Sequence, residues 1–342
     1  MTKLLVIGDD FTPFRLFEER SKQALHDVEI AGFDFGPDSP TPPNLEGVRE
    51  YFGDPDTVIE RMSDTDVLVI TFAPITKKVI DSTQHLKLIA CARGGPINVD
   101  IRYATEKRIP VVYTPGRNAE AVADYAMGLI LCLCRNILAA DKYVRSGEWK
   151  THREDTFEKP TGIGLTGKTL GIVGFGQVGS RVCRRAKSFG LRILVYDPFV
   201  KATPEKCVDF NTLLRESDII SVHARIEKAA PPLISAREFQ LMKRNAFIIN
   251  TSRATAVDET ALYDVLAAKR IAAAALDVYR EEPLPATSKL LALNNLILTP
   301  HAAGVSLDIP TITCDMISDE IALFLLGQRP KNIANPQVMI TK

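Results

Sequence analysis

The feature that most constrains the fold is a series of short apolar runs, each followed by a polar or helix-like segment. The runs lie at 3–10 (KLLVIGDD), 66–74, 86–95, 109–115, 168–179, 192–198, 217–225, 245–253, 271–279 and 295–304. They are nearly continuous in apolar residues rather than alternating, which is typical of parallel strands covered on both faces. The rhythm of strand and helix therefore predicts an α/β fold of doubly wound parallel sheets with right-handed βαβ crossovers.

A long apolar segment at 118–149 divides the runs into two sets, which open with similar strand–turn segments at 3–10 and 168–179. The segment has no interior proline and its middle is apolar almost all round. We therefore expect one long buried helix, either between domains or at a subunit contact. Because a chain of 342 residues has room for two medium domains, we expect two domains of related architecture.

The charge balance argues against some classes of function. With 42 basic and 42 acidic residues the formal net charge is zero, which disfavours binding of nucleic acid or a membrane surface through bulk charge. The N-terminus lacks the apolar run of a signal peptide and no segment is long enough to span a bilayer, so the expected location is the cytoplasm. The six cysteines form no CxxC motif and no Cys/His cluster, so we expect reduced thiols and no metal site.

A glycine-rich turn, GFGQVG, carries the clearest chemical signal. Gly174, Gly176 and Gly179 follow a predicted strand and open a predicted helix, and Asp197 ends the next strand 18 residues after Gly179. In this context GxGxxG predicts a dinucleotide site, with the pyrophosphate on the helix N-terminus. Asp197 would accept hydrogen bonds from the adenosine ribose and repel a 2′-phosphate, which favours NAD over NADP.

Polar side chains follow several later strands, at the edge where open α/β sheets bind ligands. Arg253 ends one strand, Asp277 ends another, and His301 ends a third. Glu281 and Glu282 follow Asp277 shortly afterwards, and spacing alone does not choose between them. A lone arginine at a strand end is also compatible with a surface ion pair.

These residues suit hydride transfer between NAD and a small 2-hydroxy or 2-keto acid. The planar fork of Arg253 fits a carboxylate and an adjacent carbonyl oxygen. His301 is able to move a proton near neutral pH, and Glu282 on its other ring nitrogen would fix the tautomer. Asp277 would accept from the nicotinamide carboxamide.

The chain resembles the D-isomer-specific 2-hydroxyacid dehydrogenase family over nearly its whole length. The resemblance rests on GKTLGIVGFGQVGSRV, VYDP, INTSRATAVDETAL, AALDVYREEPL and LTPHAAG. It implies that Arg253, Glu282 and His301 are catalytic, and it selects Glu282 over Glu281. The cofactor contacts that it implies, besides the three glycines and Asp277, fall on Gln177, Val178, Asp197, Ala224, Thr251, Ser252 and Gly304.

The same resemblance implies a discontinuous domain organisation. A Rossmann NAD-binding domain, residues 118–305, is inserted in a flavodoxin-like substrate domain made of residues 1–117 and 306–342. The helix at 118–149 would lie at a homodimer interface, and the cleft between the domains would close on the substrate.

The loop CARGGPINVD (91–100) is where the resemblance implies binding of the substrate carboxylate by backbone amides. Gly94 and Gly95 match the contacting positions best, and a bare backbone is able to reach an anion there. Arg93 stands beside them and is either a ligand for a polar or anionic far end of the substrate or an outward-facing surface residue. The segment ITFAPIT (70–76) lacks the arginine of phosphoglycerate-type members, which disfavours 3-phosphoglycerate.

Two other interpretations remain open from the sequence. An NAD(H)-sensing, corepressor-like binding protein on the same fold would keep the same arginine, glutamate and histidine. A formate-type dehydrogenase would carry glutamine before Pro-His in place of the glutamate partner, and Glu282 with Pro283 speaks against it.

Overall fold

The computed structural model describes residues 1–147, 149, 160–200, 203, 205–226 and 230–339. The strands in these residues are β1 (Thr2–Asp9), β2 (Val28–Phe35), β3 (Val67–Ile70), β4 (Leu88–Cys91), β5 (Val111–Tyr113), β6 (Thr169–Val173), β7 (Arg192–Tyr196), β8 (Lys206–Cys207), β9 (Ile219–Val222), β10 (Phe247–Asn250), β11 (Ala273–Leu276) and β12 (Leu296–Leu298). The α-helices are α1 (Phe14–Ser21), α2 (Pro55–Ile59), α3 (Lys77–Asp81), α4 (Ile101–Glu106), α5 (Ala119–Cys134), α6 (Ile137–Arg145), α7 (Gln177–Ser188), α8 (Phe210–Glu216), α9 (Ala236–Leu241), α10 (Glu259–Ala267) and α11 (Ile309–Leu325). Short 3-10 helices lie at Ala254–Ala256, Lys289–Ala292 and Pro336–Met339.

The chain divides into two units. Unit 1 comprises Met1–Asn118 and Ser306–Lys342, and unit 2 comprises Ala119–Val305. The sheet of unit 1 has the order β2-β1-β3-β4-β5, and that of unit 2 has the order β12-β11-β10-β9-β6-β7-β8. All the pairings between these strands are parallel. The predicted fold class, two doubly wound parallel sheets with a Rossmann unit inserted in a flavodoxin-like one, is confirmed.

Both faces of each sheet are covered, which explains the continuous apolar runs. In β10, Ile248 and Ile249 are both buried, but Ile248 belongs to one hydrophobic cluster of unit 2 and Ile249 to another. In β3 of unit 1, Leu68 and Val69 divide between two clusters in the same way. Successive strand residues point to opposite faces, so only a sheet sandwiched between helix layers buries every residue of such a run.

Two strands have no counterpart among the predicted apolar runs. Along β2 half-buried and exposed residues alternate, and β8 has only two residues, both exposed. Each lies at an edge of its sheet. Edge strands are covered less completely than central ones, so they do not carry the continuous apolar signature that identifies the buried strands.

The prediction of one long helix at 118–149 is wrong. Within the described residues the segment forms α5 and α6, whose axes differ by 61°. The break lies at Asn136, which adopts a left-handed backbone with φ of +51°. Asparagine tolerates this conformation better than most residues, and its Nδ2 donates to the carbonyl of Thr161 at 2.6 Å. No single helix of the described residues is long and apolar enough to cross a membrane, although the bent pair passes that test together.

Acidic residues of α5 fix the position of α7, the helix that follows the glycine-rich turn. Glu120 accepts from Arg181 Nε at 2.7 Å and from Arg185 Nη2 at 2.6 Å. Asp124 accepts from Arg185 Nε at 2.6 Å. The carboxylates are partly exposed, so each pair alone contributes little, but the network adds to the apolar packing of α5 against α7.

Candidate active site

The three glycines of the turn between β6 and α7 are required for different reasons. Gly174 has a φ of +93°, and a Cβ there would lie 2.6 Å from the amide nitrogen of Ala224. A Cβ on Gly179 would lie 2.1 Å from the carbonyl oxygen of Gly174, so glycine allows the helix to pack closely on the turn. A Cβ on Gly176 would meet nothing within 4 Å. Packing therefore explains two of the glycines, whereas Gly176 leaves an open space beside its backbone.

The N-terminus of α7 faces that space with free donors. Gly176 is the N-cap, and no side chain caps the helix. The amides of the first turn, which includes Gln177 and Val178, have no partner within the helix and are suited to an anion such as pyrophosphate. Asp197 follows β7 and shapes the turn, because its two oxygens accept from the amides of Phe175 and Phe199, each at 2.8 Å.

The other predicted cofactor contacts lie at the carboxyl ends of neighbouring strands in unit 2. Ala224 follows β9, whereas Thr251 and Ser252 follow β10. The hydroxyl of Thr251 is buried and has no hydrogen-bond partner among the described residues. A buried hydroxyl without a partner is costly, so a ligand that bonds to it would be stabilised. The open glycine, the uncapped helix and this hydroxyl fit the phosphate and sugar groups of NAD.

Arg253 stands at the end of a turn that Asn250 organises. The side-chain amide of Asn250 donates to the carbonyl of Arg253 at 2.9 Å and accepts from Ser252 N at 3.0 Å. The Arg253 side chain is exposed, and its Nη1 donates to the carbonyl of Ser252 at 2.7 Å. Within the part of the chain that the structure describes, Arg253 pairs with no carboxylate. The described residues therefore offer no support for the interpretation of Arg253 as a surface ion pair, and they leave its fork open to a ligand.

His301 forms a close pair with one of the two neighbouring glutamates. Its Nδ1 lies 2.8 Å from Oε2 of Glu282, whereas no hydrogen bond joins it to Glu281. The other carboxylate oxygen of Glu282 accepts from Tyr279 N at 2.9 Å. Glu282 is therefore held at both oxygens, and it leaves Nε2 of His301 without a partner among the described residues.

The environment of Glu282 keeps its carboxylate ionised. Partial burial acts to raise the pKa of Glu282. Hydrogen bonds from His301 and Tyr279 and the positive charge of Arg253 outweigh that effect, so the pKa is lowered overall. The positive charge of Arg253 therefore acts on the same carboxylate that pairs with His301.

Asp277 has a structural role besides the cofactor contact predicted for it, which stays a prediction. It is fully buried, and Oδ1 accepts from Thr299 Oγ1 at 2.6 Å and from Ala302 N at 2.9 Å. Oδ2 accepts from Ala303 N at 2.9 Å. These hydrogen bonds hold the chain on both sides of His301, whose φ of +52° is uncommon for a residue with a side chain. Asp277 thus fixes the loop of His301 in a strained conformation, a positioning role that the expected carboxamide contact did not include.

The loop that follows β4 contains the predicted substrate residues of unit 1. A Cβ on Gly95 would meet nothing within 4 Å, and one on Gly94 would only touch the Thr114 carbonyl at 4.0 Å. The backbone at both glycines is therefore accessible, as an anion site requires.

Arg93 is not the outward surface residue of one prediction, and its role as a substrate ligand stays a prediction. Its side chain is 12% exposed, its Nη2 lies 3.1 Å from Glu50 Oε2, and its guanidinium lies 4.2 Å from the centre of the Phe72 ring. Its Nη1 also donates to the carbonyl of Glu50 at 2.8 Å and to Asn98 Oδ1 at 3.3 Å. It is therefore neither an outward surface arginine nor an unpaired cation beside the glycines, because its charge is already neutralised within unit 1.

Comparison with known proteins identifies the family. A family model described as D-isomer specific 2-hydroxyacid dehydrogenase, NAD binding domain, matches residues 127–303. The glyoxylate reductase of Korarchaeum cryptofilum is 38% identical over 288 residues, which are 82% of this chain and 86% of that protein. The hydroxypyruvate reductase of Thermotoga maritima is 38% identical over 263 residues, which are 75% of this chain and 83% of that protein.

A solved structure extends the similarity to the whole fold. The apo-structure of D-lactate dehydrogenase from Escherichia coli is 26% identical, covers 97% of this chain and 100% of its own, and superimposes with a TM-score of 0.70. The cofactor of this chain is NAD, as the matching family model and the fit of unit 2 both require. Because that model matches more than half of the chain, the protein belongs to the D-isomer-specific 2-hydroxyacid dehydrogenase family.

Proposed function

We propose that this chain transfers a hydride between NAD and C2 of a small 2-hydroxy or 2-keto acid, with Arg253, Glu282 and His301 as its catalytic residues. The observation that carries the proposal is the contact of 2.8 Å between His301 and Glu282, together with the exposed guanidinium of Arg253, which pairs with no carboxylate of the described residues. These residues follow β12, β11 and β10, which are neighbours in the sheet of unit 2. Their side chains therefore start from one edge of the NAD-binding unit, where such sheets bind ligands.

His301 is the acid and base of the proposed reaction. When its ring is neutral, Nδ1–H donates to Glu282, which leaves the lone pair of Nε2 for the substrate hydroxyl. In oxidation Nε2 takes the hydroxyl proton, and in reduction it returns that proton to the keto oxygen. The ionised Glu282 stabilises the imidazolium between these steps. Bound NAD supplies the acceptor or donor of the hydride.

Arg253 orients the substrate in this proposal. A guanidinium offers two parallel N–H groups, which match a carboxylate and the adjacent C2 oxygen. Asn250 holds the backbone of Arg253 in place, so the point from which its side chain extends is fixed before the substrate arrives. The oxygen that Arg253 polarises is the one that exchanges a proton with His301.

The proposed NAD contacts are Gly174, Gly176, Gln177, Val178, Gly179, Asp197, Ala224, Thr251, Ser252, Asp277 and Gly304. Asp197 is the residue that favours NAD over NADP, because a carboxylate at the end of β7 would repel a 2′-phosphate. Unit 1 is proposed as the substrate-binding domain, with the amides of Gly94 and Gly95 for the substrate carboxylate. Its first boundary lies at Asn118 and its second at Ser306.

We also propose that the chain forms a homodimer through α5 and α6. The supporting observation is the exposed apolar surface of α6, where Ile137, Leu138 and Val144 are 47%, 52% and 52% exposed. Contiguous apolar side chains of this kind mark interaction surfaces on soluble proteins. Sedimentation velocity tests the proposal, which fails if the protein sediments as a monomer at micromolar concentration.

The experiment that tests the proposed activity is NADH oxidation with a panel of 2-keto acids, glyoxylate and hydroxypyruvate among them. Relatives that carry those two names make these substrates the first choice. We expect saturable turnover with at least one acid. The NAD(H)-sensing, corepressor-like alternative keeps the same three residues and predicts tight NADH binding with no turnover on any acid, which would overturn the enzyme proposal.

A further inference from the structure

A second arginine of unit 1 is partly buried and forms no ion pair within the described residues. Arg117 lies in the turn TPGRN (114–118) that follows β5. Its Nη1 donates to Oγ1 of Thr313 at 3.1 Å, and Thr313 is fully buried in α11. No carboxylate among the described residues forms an ion pair with Arg117, and its other N–H groups donate to none of them. Such a guanidinium costs free energy unless an anion meets it.

The charged groups near Arg117 do not form an ion pair with it within the described residues. Burial lowers the pKa of Arg117, and repulsion from Arg93 adds to this effect. Cys91 and Asp9 oppose it, but Asp9 forms no ion pair with Arg117. Oδ1 of Asp9 accepts from the amides of Phe11 and Thr12, and its Oδ2 is buried without a partner among the described residues. Arg93 has Glu50 as its counter-ion, whereas Arg117 is a partly buried cation that forms no ion pair within the described residues.

The turn that carries Arg117 packs against the glycine loop of unit 1. The amide of Thr114 donates to the carbonyl of Arg93 at 2.9 Å. A Cβ on Gly94 would lie 4.0 Å from the carbonyl of Thr114. The hydroxyl of Thr114 is buried and lacks a partner among the described residues. An unpaired guanidinium and an unpaired hydroxyl therefore belong to a turn that adjoins the loop proposed to hold the substrate carboxylate.

We propose that Arg117 binds an anionic group at the end of the substrate remote from the keto carboxylate, so that the protein favours 2-keto acids with a second carboxylate or a phosphate. The proposal rests on the proposed function, because it names the substrate class of that site. A charge-assisted, desolvated hydrogen bond to such a group contributes about tenfold to a hundredfold in affinity. Arg93, which Glu50 neutralises, does not take this role.

The test compares substrates with charged and uncharged far ends on the NAD-loaded full chain. Binding of 2-ketoglutarate, 3-phosphohydroxypyruvate and uncharged 2-ketobutyrate to the NAD⁺ complex is measured by calorimetry, because a keto acid with NAD⁺ undergoes no hydride transfer. Arg117→Met is compared with the wild type, and Arg117→Lys tests whether charge without a fork is sufficient. Arg102→Met is the matched control, because Arg102 is 91% exposed at its side chain on α4.

The expected result is that the wild type prefers at least one anionic acid over 2-ketobutyrate and that Arg117→Met reduces this preference about tenfold to a hundredfold. The two anionic acids distinguish a carboxylate from a phosphate. Equal weakening of all three acids would place the keto carboxylate itself on Arg117, and an unchanged preference would show that Arg117 binds no substrate anion; either result overturns the inference. Absence of turnover with every 2-keto acid in the NADH assay would instead overturn the proposed function.

Discussion

Two arginines follow buried strands of the two sheets, and their surroundings differ completely. Arg93 comes two residues after β4, and Arg253 comes three residues after β10. The side chain of Arg93 is 12% exposed, paired with Glu50 and stacked on Phe72. Arg253 is exposed, and no carboxylate of the described residues pairs with it. A strand-end position therefore does not by itself make an arginine available, because nearby segments decide whether its charge is already neutralised.

The largest effect that distinguishes the two regions is expected at His301, the proposed acid and base that would act together with Arg253. His301→Ala removes the proposed acid and base, so kcat should fall on the order of 10²–10⁴-fold. Steady-state kinetics with the best keto acid of the panel measures this. His26→Ala, at an exposed position of unit 1, is the matched control and should leave kcat unchanged. Near wild-type turnover of His301→Ala would remove this residue from the mechanism.

Arg253→Ala should reduce kcat/KM on the order of a hundredfold or more, because the free fork would orient the carboxylate in the transition state. Arg253→Lys should restore only part of the loss, since an ammonium group does not bond to two oxygens in the same plane. Arg215→Ala changes an exposed arginine of the same unit and serves as the control. If Arg253→Ala lowers kcat/KM by less than a few fold, Arg253 does not orient the substrate in the transition state.

Glu282→Gln tests the charge that pairs with His301, and Glu281→Gln is a control one residue away. We expect kcat/KM to fall about tenfold near pH 7, and the basic limb of the profile for keto-acid reduction to move to lower pH, because the imidazolium loses its carboxylate. The lowered pKa of Glu282 means that its ionised form stabilises the fold above the ordinary pKa of a glutamate. That contribution is lost as the pH falls through the lowered value. An unshifted profile would contradict the proposed pairing.

The sequence predicts the regular part of the fold and the order of the site residues for a clear physical reason. Buried parallel strands leave continuous apolar runs, and ligand residues follow such strands, so Arg253, Asp277 and His301 are recognisable one by one. The edge strand β2 mixes half-buried and exposed residues, so it carries no continuous apolar run. The break at Asn136 depends on a left-handed backbone, which the distribution of apolar residues does not reveal.

Hydrogen-bond and ion-pair partners that are distant in the sequence account for the other differences between prediction and structure. Asp277 bonds to the loop around His301 more than 20 residues later, and a single sequence does not show which donors reach it. Glu50 precedes Arg93 by 43 residues, so the sequence left Arg93 as an apparently free cation. Arg117 was not singled out in the sequence, because only the structure shows that it is partly buried and that no carboxylate of the described residues pairs with it.

The smallest effect is expected at Arg93, and it decides which arginine of unit 1 serves the substrate. Arg93→Met removes the contacts to Glu50 and Phe72, so the free energy of unfolding should fall by about 1–2 kcal/mol, measured by urea denaturation. The preference for anionic over uncharged keto acids should change less than about threefold, well below the effect of Arg117→Met. Arg102→Met again serves as the control for both measurements. A loss of preference in Arg93→Met as large as in Arg117→Met would show that Glu50 releases Arg93 to the substrate. Arg93 and Arg253 would then both bind substrate, and they would differ only in that Glu50 pairs with Arg93 until the substrate arrives.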